Sequence, residues 1–155
     1  MPTPTFSDEA KTKLLPATQR NIERVYGDPA TTVRDRASID ELLAQKAWTE
    51  LDDRFFRDIA FGTGGMRGRT VGKIVTKAEA GRPQPLGRPE FPGTGTNMLN
   101  FENVHRAVSA LGAYLLEGYP GEHLSVVIAH DTRFFSRDFS LKAAEALTVA
   151  PAKFV

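Results

Sequence analysis

The stretch 61-FGTGGMRGRTVG-72 holds five glycines and two arginines in twelve positions, with no lysine and no acid. Glycine at that density lets a backbone turn sharply or come close to a ligand, and arginine offers a planar fork of N–H donors that matches phosphate oxygens. The chemistry implied is anion binding by backbone N–H groups together with the Arg67 guanidinium. Two better-defined phosphate cradles are excluded by spacing. A G-x-x-x-x-G-K-[ST] loop fails because Gly68 and Gly72 are one residue too close and Lys73 is followed by Ile74. A G-x-G-x-x-G fingerprint fails because Arg67 stands where the third glycine belongs and no helical period follows. A tight structural turn is the competing reading of the same glycines.

The second candidate is 131-DTR-133, directly after the apolar run 124-LSVVIAH-130. A nucleophilic D-x-D loop is not met, since the third residue is Arg133. Asp131 and Arg133 read either as an ion pair bracing a strand-to-helix loop or as direct substrate contacts. His105, His123 and His130 have no metal-ligand spacing, and the absence of cysteine removes disulfides, thiolate catalysis and Cys-ligated zinc. No Ser/His/Asp nucleophile arrangement is legible.

These residues must be positioned by something, and 155 residues suffice for one domain or part of one. With 20 Lys+Arg against 19 Asp+Glu, no overall field recruits nucleic acid or a membrane surface, so anion binding has to be local. No window reaches the length of about eighteen apolar residues that a membrane helix needs, and the start MPTPTFSDEAKTKLL has no leader pattern. A cytoplasmic protein is expected.

Residues 1–60 read as short amphipathic helices. Thr5-x-x-Asp8, or Ser7 as cap with Asp8 and Glu9 behind it, opens the first, 27-GDP-29 closes a segment, and Ser38-x-x-Glu41 and Thr49-x-x-Asp52 look like further N-terminal caps. Trp48, Phe55 and Phe56 are expected in the core. The Pro/Gly segment 80-AGRPQPLGRPEFPGTGT-96 is expected as a surface loop, Asn100 as the cap of a helix ending at Gly118, and 124–130 as the clearest strand. Ser136 then caps a last helix. Helix, strand, loop and helix at these lengths give an α/β class with a mostly parallel sheet, and ligands bind at the carboxyl ends of such strands.

The order 61-FGTGGMRG-68, 93-GTGTNMLN-100 and 126-VVIAHDTRFFS-136 resembles the first domain of the α-D-phosphohexomutases, the phosphoglucomutases and phosphomannomutases. The lead-ins 28-DPATTVRDRASIDELL-43 and 51-LDDRFFRDIAFGTGG-65 resemble the longer phosphoglucomutase and phosphopentomutase branch. The resemblance runs from about Tyr26 to about Leu147. It implies an incomplete three-layer α/β/α domain over 61–155, preceded by the helical lead-in 1–60, with an insertion over about 76–92. In that family a phosphoserine donates its phosphoryl group to one end of a sugar phosphate and recovers one from the other end, with magnesium bound in the second domain. Carried over, Thr63, Gly64, Gly65 and Arg67 lie beside the phosphoserine, Arg67 neutralising phosphoryl charge, while Asp131 and Arg133 brace the neighbouring loop. Sugar phosphate is the implied substrate, and the remainder of the enzyme, or a partner of unknown kind, the implied protein contact.

The departures are equally specific. The serine loop T-[AG]-S-H-N-P and the magnesium motif D-G-D-x-D-R do not occur in these 155 residues, so no catalytic or metal residue is assigned. Met98 stands where the long branch has an arginine, Ala129 replaces a glycine, and 148-TVAPAKFV-155 departs from the pattern. The expectation is a fragment inactive alone. The alternative is a non-catalytic module that binds phosphosugars or other anions, or serves a partner.

Overall fold

Of the two caps the sequence offers for the first helix, α1 (Asp8–Lys13), Ser7 is the one used and Thr5 is not: the Ser7 hydroxyl accepts the Ala10 N–H at 3.1 Å, with Asp8 and Glu9 in the first turn. In this computed structural model, which describes residues 2–149, the chain divides into Met1–Leu99 and Asn100–Val155. Residues 150–155, most of the departing segment 148–155, lie outside the described residues.

In the first unit, α2 (Pro16–Gly27) begins with proline at its first turn, where the missing N–H costs nothing, and stops at the glycine. Helix α3 (Val33–Ala44) is capped by Thr32, whose hydroxyl accepts the Asp35 N–H at 3.1 Å. Ser38 is therefore no cap: it is buried in mid-helix and donates to Glu79 Oε1 at 2.8 Å. Nor does Thr49 cap α4 (Trp48–Phe55), which starts from Ala47 without a side-chain cap. Asp52 instead accepts the Leu15 N–H at 3.1 Å, tying α4 to the start of α2. The apolar stripes of the four helices meet in one core of Ala10, Leu14, Ile22, Ile39, Leu42, Leu51 and Phe55. Each large side chain buried there stabilises the unit by about 1.5–3 kcal/mol. Trp48 packs on this core half-buried, but Phe56 lies at the surface with 37% exposure.

After α4 come β1 (Phe61–Gly62) and β2 (Gly65–Met66), an antiparallel hairpin in register Phe61↔Met66 and Gly62↔Gly65. Helix α5 (Lys77–Ala80) follows, with a complete capping box between Thr76 and Glu79. The Pro/Gly segment is only partly the surface loop expected. A 3-10 turn at Pro85–Gly87 is exposed, whereas Pro92, Thr94 and Thr96 are buried. The glycines make the difference: a Cβ at Gly93 would stand 2.7 Å from Met98 Cε, and one at Gly95 2.8 Å from the Arg54 carbonyl. Met98 is a core residue.

The second unit contains α6 (Phe101–Gly118), capped by Asn100 as expected, and α7 (Ser136–Val149). They pack through edge-to-face rings, Phe101 lying 6.5 Å from Phe135 and 5.7 Å from Phe139. Phe135 reaches this cluster at φ 65°, an uncommon conformation for a bulky residue. Ser136 is the first helical residue, its hydroxyl accepting the Asp131 N–H at 3.0 Å instead of capping. The strand expected over 124–130 is not formed among the described residues. Leu124 makes a lone bridge, residues 125–130 carry no ladder, and Val127 is 95% exposed. An apolar β-branched run becomes a strand only beside another strand, and the described sheet consists of β1 and β2 alone.

Candidate functional site

The two glycine motifs of the first unit, separated in sequence, meet in the structure. Residues 93–99 form a strap that grips the base of the β1–β2 hairpin on both sides. On one side Gly93 donates to the Thr70 carbonyl at 2.8 Å, Leu99 donates to the Arg69 carbonyl at 2.9 Å, and Arg69 and Met98 form a parallel bridge. On the other, Ile59 donates to the Thr96 carbonyl at 2.7 Å and Asn97 to the Arg54 carbonyl at 2.9 Å. Gly68 lets the strap come this near, since a Cβ there would fall 3.2 Å from the Asn97 carbonyl and 2.8 Å from Ile59 Cδ1.

The tip is different. Gly64 has φ 80° and Gly65 φ 131°, yet a Cβ on either would meet nothing within 4 Å. Their glycines serve the turn between Thr63 and Gly65, and the space beside them is open. Thr63 and Gly64 are exposed, and Arg67 folds back with Nη2 only 3.4 Å from the Thr63 carbonyl. No carboxylate pairs with Arg67 among the described residues.

Beneath the hairpin lies a buried ionic cluster that sequence reading missed. Arg54 is fully buried; its Nε donates to Glu50 Oε1 at 2.7 Å, Nη1 to Glu79 Oε1 at 2.5 Å, and Nη2 to the Ile74 carbonyl at 2.5 Å. Glu79 also accepts Ser38 Oγ, the Thr94 N–H at 2.9 Å and the Thr76 N–H at 3.1 Å. Burial raises the Glu79 carboxyl, but the Arg54 guanidinium and the two backbone donors outweigh it and hold the group below the usual glutamate range. Gly72 exists for this guanidinium: a Cβ there would sit 1.8 Å from Arg54 Nη2. The signals were the Glu50–Arg54 spacing of one helical turn and Thr76-x-x-Glu79, both of which read equally well as surface features.

The acids around the hairpin are committed elsewhere. Asp53 accepts Lys73 Nζ at 2.9 Å, and that hydrogen bond holds its carboxyl below the ordinary range; Asp58 pairs with Arg24 at 2.5 Å. Thr63, Gly64, Gly65 and Arg67 are thus brought together on one exposed turn, above a buried floor in which Glu50 Oε2 has no hydrogen bond and meets only the Arg69 guanidinium, at 3.5 Å. A cavity of about 330 Å³ between α1 and the α3–α4 pair, lined by Ala10, Leu43 and Trp48, is separate from these residues.

Asp131 and Arg133 belong to the second unit, in the loop before α7. Arg133 Nε and Nη2 both reach Asp131 Oδ2 at 2.7 Å, and the Arg133 N–H donates to Oδ1 at 3.0 Å. The guanidinium therefore holds the Asp131 carboxyl well below the carboxylate range, while the carboxylate raises Arg133. With the Asp131 N–H bonded to Ser136, the pair has the geometry of a loop brace. His130 lies beside it, Nδ1 at 3.3 Å from the Asp131 carbonyl.

Among the described residues no group of three or more His, Cys, Asp or Glu side chains could hold a metal ion. Among the described residues, no helix is long and apolar enough to cross a membrane. Residues 92–153 match the family model described as phosphoglucomutase/phosphomannomutase, alpha/beta/alpha domain I, which supplies the α/β class. The match takes in the strap and the Asp131–Arg133 loop and begins after the glycine hairpin. No curated protein and no solved structure matches the chain.

Proposed function

Because the chain belongs, through residues 92–153, to the phosphoglucomutase/phosphomannomutase family at its first domain, we propose that it is part of an isomerase that moves a phosphoryl group within a sugar phosphate. The substrate type is glucose 1-phosphate and glucose 6-phosphate, in carbohydrate metabolism in the cytoplasm. The observation that carries the reading is the glycine turn: open backbone at Gly64 and Gly65 beside an Arg67 guanidinium with no carboxylate of its own among the described residues. Phosphoryl transfer is catalysed chiefly by positioning and by charge complementarity, and a guanidinium without a carboxylate partner among the described residues, beside an open glycine turn, supplies the second. Thr63 lines the same turn. Asp131 and Arg133 act at one remove, as a brace for their own loop.

The family's magnesium does not fit the described residues. The chain contains no T-[AG]-S-H-N-P string, so it has no assigned phosphoryl donor and turns over no substrate unaided. A coupled assay on this polypeptide registering conversion of glucose 1-phosphate would refute that statement. The binding role is tested by titrating glucose 1-phosphate into wild type and Arg67→Ala. A site present in the first and lost in the second supports the proposal; no binding in either returns the glycines to a structural turn. The missing serine string also favours a second reading, a phosphosugar-binding or partner-binding module without catalysis. In that case the Arg67-dependent site is present, and adding the remainder of a family enzyme restores no turnover.

A further inference from the structure

We propose that Arg57 is a second anion-binding guanidinium of the glycine-turn site, reaching the same phosphate as Arg67; this rests on the function proposed above. Arg57 lies between the end of α4 and the hairpin, and its side chain is exposed but held. Nε donates to Asn97 Oδ1 at 3.2 Å, and the guanidinium carbon stands 4.8 Å over the Phe56 ring. These contacts fix the plane of the group and leave Nη1 and Nη2 without a protein partner among the described residues.

Asn97 is itself locked. Its backbone N–H goes to the Arg54 carbonyl and its Nδ2 donates to the Asp53 carbonyl at 3.1 Å, which turns Oδ1 toward Arg57. The same residue's carbonyl lies against Gly68, the neighbour of Arg67, so one strap residue touches both arginine-bearing segments. The two acids that flank Arg57 in sequence are already paired, Asp58 with Arg24 and Asp53 with Lys73. An aromatic ring kept at the surface under an arginine, an amide oriented to hold Nε, and acids drawn away together leave two guanidinium groups with unmet charge. That is the arrangement a dianionic phosphate monoester satisfies, since its oxygens accept several charge-assisted hydrogen bonds at once.

The test is calorimetric titration of inorganic phosphate into the full chain at low salt, for wild type, Arg57→Gln, Arg67→Gln and Arg57→Lys. Losing a charge-assisted contact weakens binding about 10- to 100-fold. Arg57→Gln and Arg67→Gln are each expected to show that loss, with unchanged melting curves because both side chains are exposed. Arg57→Lys, which keeps charge but loses the fork held by Asn97, is expected to recover only part of it. Wild-type affinity in Arg57→Gln alongside a loss in Arg67→Gln would overturn the role of Arg57 and leave the site standing. A wild-type chain that binds no phosphate would remove both.

Discussion

Replacing Gly72 by alanine should damage the first unit more than replacing Gly64, although Gly72 shows no left-handed backbone and Gly64 does. At an ordinary φ, Gly→Ala by itself favours the folded state by about 0.4–1 kcal/mol through the unfolded chain. The methyl added by Gly72→Ala, however, would lie 1.8 Å from Arg54 Nη2, 2.6 Å from Glu50 Oε1 and 2.7 Å from the Ile74 carbonyl. A free guanidinium would swing aside, but this one is buried and bonded through each nitrogen. Moving it separates a buried ion pair, a loss of about 3–5 kcal/mol, so the net cost is about 2–4 kcal/mol. At Gly64 the methyl meets nothing, and only the left-handed backbone is penalised, by about 1–2 kcal/mol. Urea unfolding followed by the fluorescence of Trp48, the single tryptophan, reads both variants. With a denaturant slope of about 2 kcal/mol per molar, the midpoint falls by about 1–2 M for Gly72→Ala and by about 0.5–1 M for Gly64→Ala. A Gly72→Ala midpoint at or above that of wild type would refute the claim that this glycine is there to admit Arg54.

Three further outcomes follow from the same floor. Thr76→Ala removes the hydroxyl that accepts the Glu79 N–H and should cost about 1–2 kcal/mol in the same unfolding assay. Because the folded Glu79 carboxyl lies below its unfolded value, its contribution is fully present above the unfolded pKa and is lost as pH falls through the folded one. Stability measured below about pH 4 should therefore drop in wild type, and the drop should shrink in Glu79→Gln, itself weaker at neutral pH. Arg54→Met should destabilise by about 3–5 kcal/mol singly, and the loss should be much smaller when Glu50 and Glu79 are replaced by Gln as well, since no bare carboxylate is then buried.

Much of the helical frame was legible because its signals are local. Ser7, Gly27, Asn100 and Gly118 mark helix ends through cap chemistry that needs no tertiary partner. Ser38-x-x-Glu41 and Thr49-x-x-Asp52 carry the same letters inside helices, where tertiary bonds to Glu79 and Leu15 claim Ser38 and Asp52 instead. The run 124–130 has strand composition, but a ladder is made by a neighbour that composition does not specify. The glycine turn was readable as a turn with an arginine beside it. Its clamping by 93–99 was not, because the contacts are backbone hydrogen bonds between segments some thirty residues apart in a stretch that reads as a loop. Arg54, Glu50 and Glu79 were hidden for a related reason: charged residues one helical turn apart are ordinarily solvated, and only the fold shows them buried.

The central claim, that the turn from Thr63 to Arg67 binds the phosphate of a sugar phosphate, is tested most directly by proton–nitrogen correlation spectra of the full chain during titration with glucose 6-phosphate, with glucose as control. The account predicts saturable shifts in the Gly64 and Gly65 amides and the Arg67 Nε–H, produced by the phosphorylated sugar and not by glucose. Signals at those three groups that stay in place while glucose 6-phosphate rises to tens of millimolar, about the weak limit of a useful site, would contradict it.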